Sequence, residues 1–445
     1  MTKLFSSTAA VLMAALLLSP GADAQNAPWS LAECIDYALE HNITVRQNEL
    51  SAAQKEVALE TARSRALPSL SASASQNFSF GRGLTADNTY ANTNTTSTGL
   101  NLGSDVTLFS GFQIRNNVIL SQLDLAAATV DLEKAKDDIR VAVAQAYVQI
   151  LYDKEILAVA QRQVEIDSLQ VVRLEETERN GKASLSEVAA QKATLAQSRA
   201  TAVQASGSLS LALLELTQLL ELPSPEGFDV AQPSPEALLP VLLPSPEDIY
   251  ADAVQTRPEV EAESIRLDYA KTNIKIAKGA FLPTLSLSGG IGSNFYTSTG
   301  YGSASFFDQM KNNFSQYLGL SLSVPIFSRN VNRGNLRSAT LGLKNQELQL
   351  EAVKKGLYKE IQQAWYAAEA AVEKYRSSVS ASESAREAFE LVSARYENGK
   401  TGITEFNESK ARFLEAESNR ARALCEQLYQ TRLLDFYRGR PLDFQ

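Results

Sequence analysis

Along most of the chain, apolar residues recur at helical spacing. From Phe112 to Arg179, and again from Asn330 to Glu397, no proline interrupts the pattern. In the first stretch Ile139, Val143, Ala146, Ile150, Leu157, Ala160 and Val164 follow spacings of four and three, with Asp153 interrupting the seam. In the second, Leu357, Ile361, Ala364, Ala368, Tyr375, Ser378 and Ser382 do the same. Such a stripe, rich in small residues, predicts long helices in coiled-coil-like contact. Shorter helices are predicted over Ala32 to Ala66 and Ser184 to Leu220. About 67 residues at 1.5 Å each span on the order of 100 Å, and each shorter helix about 50 Å, so two short helices end to end match one long one.

Between the helices the period falls to two. Leu70, Ala72, Ala74, Phe78 and Phe80 alternate with Ser and Asn, as do Leu100, Leu102, Val106 and Leu108 with Asn, Gly, Asp and Thr. Leu285, Leu287, Ile291 and Phe295, then Leu318, Leu320, Leu322, Val324 and Ile326, repeat the arrangement later. Each run reaches the roughly 9 to 11 residues that a tilted strand needs to cross a bilayer. An apolar face opposite a Ser, Asn and Gly face suits lipid on one side and water on the other. Phe78, Phe80, Tyr296, Tyr301, Phe306, Phe307, Phe314 and Tyr317 cluster near the strand-to-strand loops, as an interfacial girdle requires. The almost wholly polar stretch from Leu84 to Gly99 is expected to be a surface loop. Four strands cannot close a barrel, and open edges are not tolerated in hydrocarbon, so oligomerisation is expected. Two chains would give eight strands and three would give twelve; a water-filled interior favours three.

The chain also says nearly the same thing twice. Asn180-Gly181-Lys182 returns as Asn398-Gly399-Lys400, a shift of 218 that also relates Phe109-Ser110 to Phe327-Ser328 and Gln145-Ala146-Tyr147 to Gln363-Ala364-Trp365. Upstream the shift is 215, relating Ala38 to Ala253 and Leu67-Pro68 to Leu282-Pro283. A period this long is a duplicated subdomain and not a solenoid repeat. The expected organisation is 1–24 a signal peptide; 25–222 a first repeat with strand pair 69–109, long helix 112–179, tip turn 180–184 and helix 184–220; 223–246 a Pro-rich linker; and 247–445 a second repeat with strand pair 284–327, long helix 330–397, tip turn 398–402 and helix 403–438.

Composition narrows the function. Lys3, an apolar run from Ala9 to Leu18 and Ala22-Asp23-Ala24 form a secretory signal, too short to span a bilayer, so the mature chain is expected to begin at Gln25. Cys34 and Cys425 are the only cysteines, which excludes a disulfide framework; they either pair or stay as separate buried thiols. A net charge of −9 without a basic stripe argues against nucleic acid as a partner. His41, the only histidine, has no ligand or nucleophile pattern around it, and Gly289-Gly290-Ile291-Gly292 lies in a predicted strand and not before a helix, so neither suggests catalysis, a cofactor or a metal.

With the duplicated unit, paired amphipathic strands, very long helices and a turn Asn-Gly-Lys-x-x-(Leu/Ile)-(Ser/Thr)-Glu in each copy, the chain resembles the TolC-type outer-membrane efflux family. The resemblance implies an α+β membrane protein: a homotrimer whose twelve-stranded barrel, four strands per chain, sits in outer-membrane lipid and continues as a periplasmic helical coiled-coil barrel. It implies a passive exit duct of an efflux or secretion system, not an enzyme, whose partners are a periplasmic adaptor protein and an inner-membrane transporter. By the same resemblance Asn180, Gly181, Lys182, Asn398, Gly399 and Lys400 form the adaptor-docking tip. Glu405 and Glu408 match an acidic ring at the closed aperture, and Tyr396, Ser186 and Glu187 match positions that hold the tip shut. Thr401 stands where the pattern has an arginine, and Ala190 fills the first-copy place of Glu408. Ser184 and Glu187 also form a capping box that would start a helix anywhere. A soluble periplasmic coiled-coil scaffold is the alternative suggested by the helical content.

Overall fold

The computed structural model describes residues 28–84, 88–233, 243–299 and 302–444. The expected signal peptide, the middle of the linker and Tyr301 lie outside the described residues. The elements run α1 Leu31–His41, α2 Ile43–Ser64, β1 Ser71–Leu84, β2 Tyr90–Ser110, α3 Gln113–Arg179, α4 Leu185–Leu219, α5 Pro246–Thr256, α6 Pro258–Gly279, β3 Thr284–Ser298, α7 Phe306–Asn312, β4 Ser315–Ser323, α8 Val331–Glu397 and α9 Ile403–Tyr437. Helices α3 and α8 are each 67 residues long, and α4 and α9 each 35.

Four elements depart from the sequence expectation, each for a local reason. The helix expected from Ala32 to Ala66 is two, α1 and α2, broken at Asn42, which is extended (φ −62°, ψ 131°). Its side chain accepts the Thr44 N–H at 2.9 Å and donates to the Leu219 carbonyl at 3.0 Å, bonds that compete with a continuous helix. The polar stretch after Leu84 is not all loop: β2 begins at Tyr90, opposite Leu84, because its threonines favour extended backbone. In the second copy α7 interrupts the strand pair; Ser305 caps it by accepting the Asp308 N–H. Strand β4 stops at Ser323, short of Ile326, since Pro325 has no N–H for a ladder.

Two compact units each draw on both halves of the chain. The first comprises the described residues up to Gln47, of Glu133–Arg257 and from Lys355 onward. Cys34, Ala38, Val143, Ile150, Leu216, Ile249 and Ile361 are fully or almost fully buried in it. Long helices hold the connecting segment at both ends. Tyr147 of α3 places its hydroxyl 2.6 Å from the Ala231 carbonyl, and Lys154 donates to the Val230 carbonyl at 2.8 Å. Trp365 of α8, the residue 218 positions after Tyr147, donates its indole N–H to the Pro244 carbonyl at 2.8 Å. Cys34 and Cys425 are separate buried thiols.

The second unit, Asn48–Leu132 and Pro258–Lys354, contains one antiparallel sheet in the order β1-β2-β3-β4. Helices α2, α3, α6 and α8 follow the same lateral order. Lys55 pairs with Asp124 at 2.9 Å, Arg266 with Asp131 at 2.5 Å, and Gln346 donates to Glu263 at 2.5 Å. These helices together line one polar cavity of about 760 Å³. At the strand-to-helix corner Gly111 (φ +60°) meets Gly279 so closely that a Cβ on Gly111 would lie 2.2 Å from the Gly279 carbonyl oxygen. Arg329, 218 residues after Gly111, also has a positive φ, +50°.

The sheet leaves its apolar side bare: Leu318, Leu320 and Leu322 are each more than 60% exposed. Phe78, Phe80, Phe307 and Phe314 are also exposed. Tyr317 lies on the opposite, polar face, over Gly290 and Gly103; a Cβ on Gly290 would lie 2.8 Å from its ring. Tyr317 therefore does not belong with the apolar-face aromatics. Among the described residues no helix is long and apolar enough to cross a membrane.

Candidate functional site at the helical tip

Both long helices end in the same backbone motif. After α3, Gly181 adopts φ +65°, its N–H reaches the Glu178 carbonyl at 2.7 Å, and the Lys182 N–H reaches Thr177 at 3.0 Å. After α8, Gly399 adopts φ +66°, with Gly399 N–H to Tyr396 at 3.0 Å and Lys400 N–H to Arg395 at 2.8 Å. This left-handed glycine cap satisfies carbonyls that the helix end would otherwise orphan. Asn180 and Asn398 add side-chain bonds to the Glu176 and Ala394 carbonyls, at 2.8 and 2.7 Å. Asn180, Lys182, Asn398 and Lys400 are exposed at the two turns.

The two turns differ in what starts the returning helix. Ser184 caps α4: its hydroxyl accepts the Glu187 N–H at 3.2 Å, while the Glu187 carboxylate accepts the Ser184 N–H at 2.7 Å. That backbone bond holds the Glu187 carboxyl below its ordinary range. Capping thus engages Glu187 within its own turn; Ser186 beside it is exposed. Gly402, at the equivalent start of α9, offers no side-chain cap. Thr401 instead donates its hydroxyl to Glu405, whose other oxygen pairs with Arg395 at 3.2 Å. Glu405 is therefore tied back to the last turn of α8. Glu408 is exposed and has no hydrogen bond or ion pair among the described residues.

Tyr396 packs its half-buried ring on Phe406, with centroids 4.9 Å apart. Burial raises its hydroxyl above the ordinary phenol range, opposed by the nearby Arg173 guanidinium. Phe406 is 1% exposed, and Phe389 contacts both Phe406 (5.5 Å) and Phe413 (5.4 Å), so an aromatic ladder closes the α8–α9 hairpin. The first-copy counterparts of Phe406, Phe389 and Phe413 are Val188, Val171 and Leu195, so that hairpin has no such ladder.

Above the turns lies a buried polar cluster that the sequence reading missed. Asp167 of α3 (fully buried) receives the Lys410 ammonium of α9, the Ser198 hydroxyl at 2.5 Å and the Gln191 amide at 3.2 Å, both from α4. The signal was present: Asp167 continues the seam after Ala160 and Val164, and Val171 and Leu174 follow it at the same spacing. His41 bonds the Tyr37 carbonyl at 3.0 Å and stacks on the Tyr37 ring, occupied within its own helix.

Comparison with known proteins fits this architecture. The family model described as outer membrane efflux protein matches residues 34–221 and 249–439. The chain is 24% identical over 309 residues to the outer membrane efflux protein BepC of Brucella suis, a match covering 68% of this chain and 62% of that protein. It therefore spans under two thirds of BepC's length. Among solved structures, the Neisseria gonorrhoeae outer membrane channel MtrE in its open state superposes with a TM-score of 0.74 at 24% identity, covering 94% of this chain and 91% of that one. The Vibrio cholerae outer membrane protein VceC gives 0.73 at 19% identity, covering 93% and 97%.

Proposed function

Because the chain belongs to the outer membrane efflux protein family, a family of channels and not of enzymes, we propose that it is the outer-membrane exit duct of a tripartite efflux or secretion system. Three copies, each a duplicated unit, close a twelve-stranded barrel that a helical barrel extends into the periplasm. Substrate passes passively from an inner-membrane transporter through a periplasmic adaptor, which docks at Asn180–Lys182 and Asn398–Lys400.

The observation that carries this reading is the open four-stranded sheet whose apolar side is bare. A soluble scaffold would leave that face and both sheet edges unpaired in water; lipid and further copies of the sheet satisfy both. Within the proposed duct, Glu408 supplies the acidic constriction, since Glu405 is neutralised by Arg395 within its own chain. Tyr396, whose hydroxyl has no hydrogen bond among the described residues, is the proposed latch donor toward a neighbouring copy. Ser186 and Glu187 help shape the first turn. Outer-membrane fractionation followed by native mass measurement and planar-bilayer recording tests the reading. Trimeric particles in the outer membrane that carry current support it; a soluble monomer overturns it.

A further inference from the structure

Strands β1 and β4 are the free edges of the sheet. Following paired residues across it, Ser71 lies opposite Gly103, Gly103 opposite Gly290, and Gly290 opposite Tyr317. From that row β1 runs one way to Leu84, while β4 runs the other way to Ser323. The edges overlap in only three rows, those of Tyr317, Gln316 and Ser315. A barrel closed without stagger would therefore leave most of both edges bare, which hydrocarbon does not tolerate.

Building on the trimeric reading above, we propose that each copy closes onto the next with Ser323 of β4 opposite Ser71 of the neighbouring β1. That register places Ala74 opposite Leu320 and Ser79 opposite Ser315. It keeps Ala72 and Ala74 on the same face as Leu322 and Leu320; a slip of one residue would turn every apolar side chain of β1 inward. The stagger per copy is the six residues from Tyr317 to Ser323. Six residues at about 3.3 Å each, against four strand spacings of about 4.8 Å, give a tilt of about 45°, the inclination closed barrels use.

The register also gives α7 a role. Strand β1 has 14 residues and β4 only 9, so Phe80–Leu84 of the next copy run five residues past the end of β4. The space there is filled by α7. Gln309 accepts the Tyr296 N–H at 3.0 Å and donates to the Tyr296 carbonyl at 2.9 Å, and Asn313 donates to the Asn294 carbonyl at 2.6 Å. These side chains take the edge bonds of β3 that a longer β4 would make. Helix α7 thus completes the wall against which the neighbour's Phe80–Leu84 lies, with Phe314 beside Phe80.

Cysteine pairs in otherwise wild-type chains, oxidised in isolated outer membranes, test the seam. Ala74→Cys with Leu320→Cys should give bands at two and three chain masses on non-reducing gels, and so should Phe80→Cys with Phe314→Cys. Ala72→Cys with Leu320→Cys, and each single variant, should stay at one. A ladder from the shifted pair in place of the first overturns the register, and a 74–320 ladder without the 80–314 ladder overturns the role of α7. No ladder from any pair in a particle trimeric by native mass overturns the seam alone. The same absence in a monomeric particle overturns the trimeric reading itself.

Discussion

The ammonium of Lys410 on α9 rests against the carboxylate of Asp167 on α3, the side chains 3% and 0% exposed. A buried ion pair contributes little net stability, but removing one partner leaves the other charge stranded in low dielectric. Lys410→Met should therefore destabilise the protein by about 3 kcal/mol or more, while Asp167→Leu with Lys410→Met recovers most of that loss. Denaturant unfolding of the two single variants and the double variant measures this coupling.

The two acidic residues of α9 should behave differently. Glu405 has Arg395 and Thr401 as partners, whereas Glu408 has no ion pair or hydrogen bond among the described residues. In planar bilayers Glu408→Gln is expected to raise the divalent-cation concentration for half-block about tenfold, and Glu405→Gln to change it less than about twofold. Equal effects would place both carboxylates at the aperture.

Two glycines with similar positive φ, Gly399 at +66° and Gly111 at +60°, should respond unequally to alanine. At Gly399 an added Cβ would meet nothing within 4 Å, so Gly399→Ala should cost about 1 kcal/mol, from its positive φ alone. Gly111→Ala adds a collision with the Gly279 carbonyl and should cost about 3 kcal/mol or more, visible as a larger drop in melting temperature.

Acid should loosen the first turn. The Glu187 carboxyl is held below its ordinary value of 4.5 by the Ser184 backbone bond, so its stabilisation is present above pH 4.5 and is lost as the pH falls through the lower folded value. Hydrogen-exchange protection at the start of α4, corrected for intrinsic rates, should be unchanged from about pH 7 to 5 and fall below about pH 4. Glu187→Gln should remove that step.

Burial pushes the Cys34 and Cys425 thiols up to about 12, so both are almost wholly protonated at about pH 8. Maleimide should leave the folded protein unlabelled and modify both positions after denaturation.

Much of this was legible in the sequence because the signals were periodic. The alternation at Leu285, Leu287 and Ile291 marked β3, and the spacing from Ile139 to Val164 marked α3. What escaped was aperiodic or contextual. The threonines of β2 looked like a loop because both of its faces are polar there, and α7 hid because seven residues are too few for a helical period. At the tip, Thr401 stood out only as a departure from the arginine of the pattern, yet it bonds Glu405; that contact depends on how Gly399 folds the chain back. Asp167 sat on the seam, but a carboxylate there looks like a break until Lys410 arrives from 243 residues away.

The anchoring of the connecting segment has a consequence for how the protein is made. Tyr147 and Lys154 fix the end at Val230 and Ala231, and Trp365 fixes the other at Pro244, each without help from the opposite end. A covalent link between these posts raises the effective concentration of each half for the other. Two half-length polypeptides, parted between Pro233 and Leu243, would retain every one of these anchors and could assemble as separate gene products.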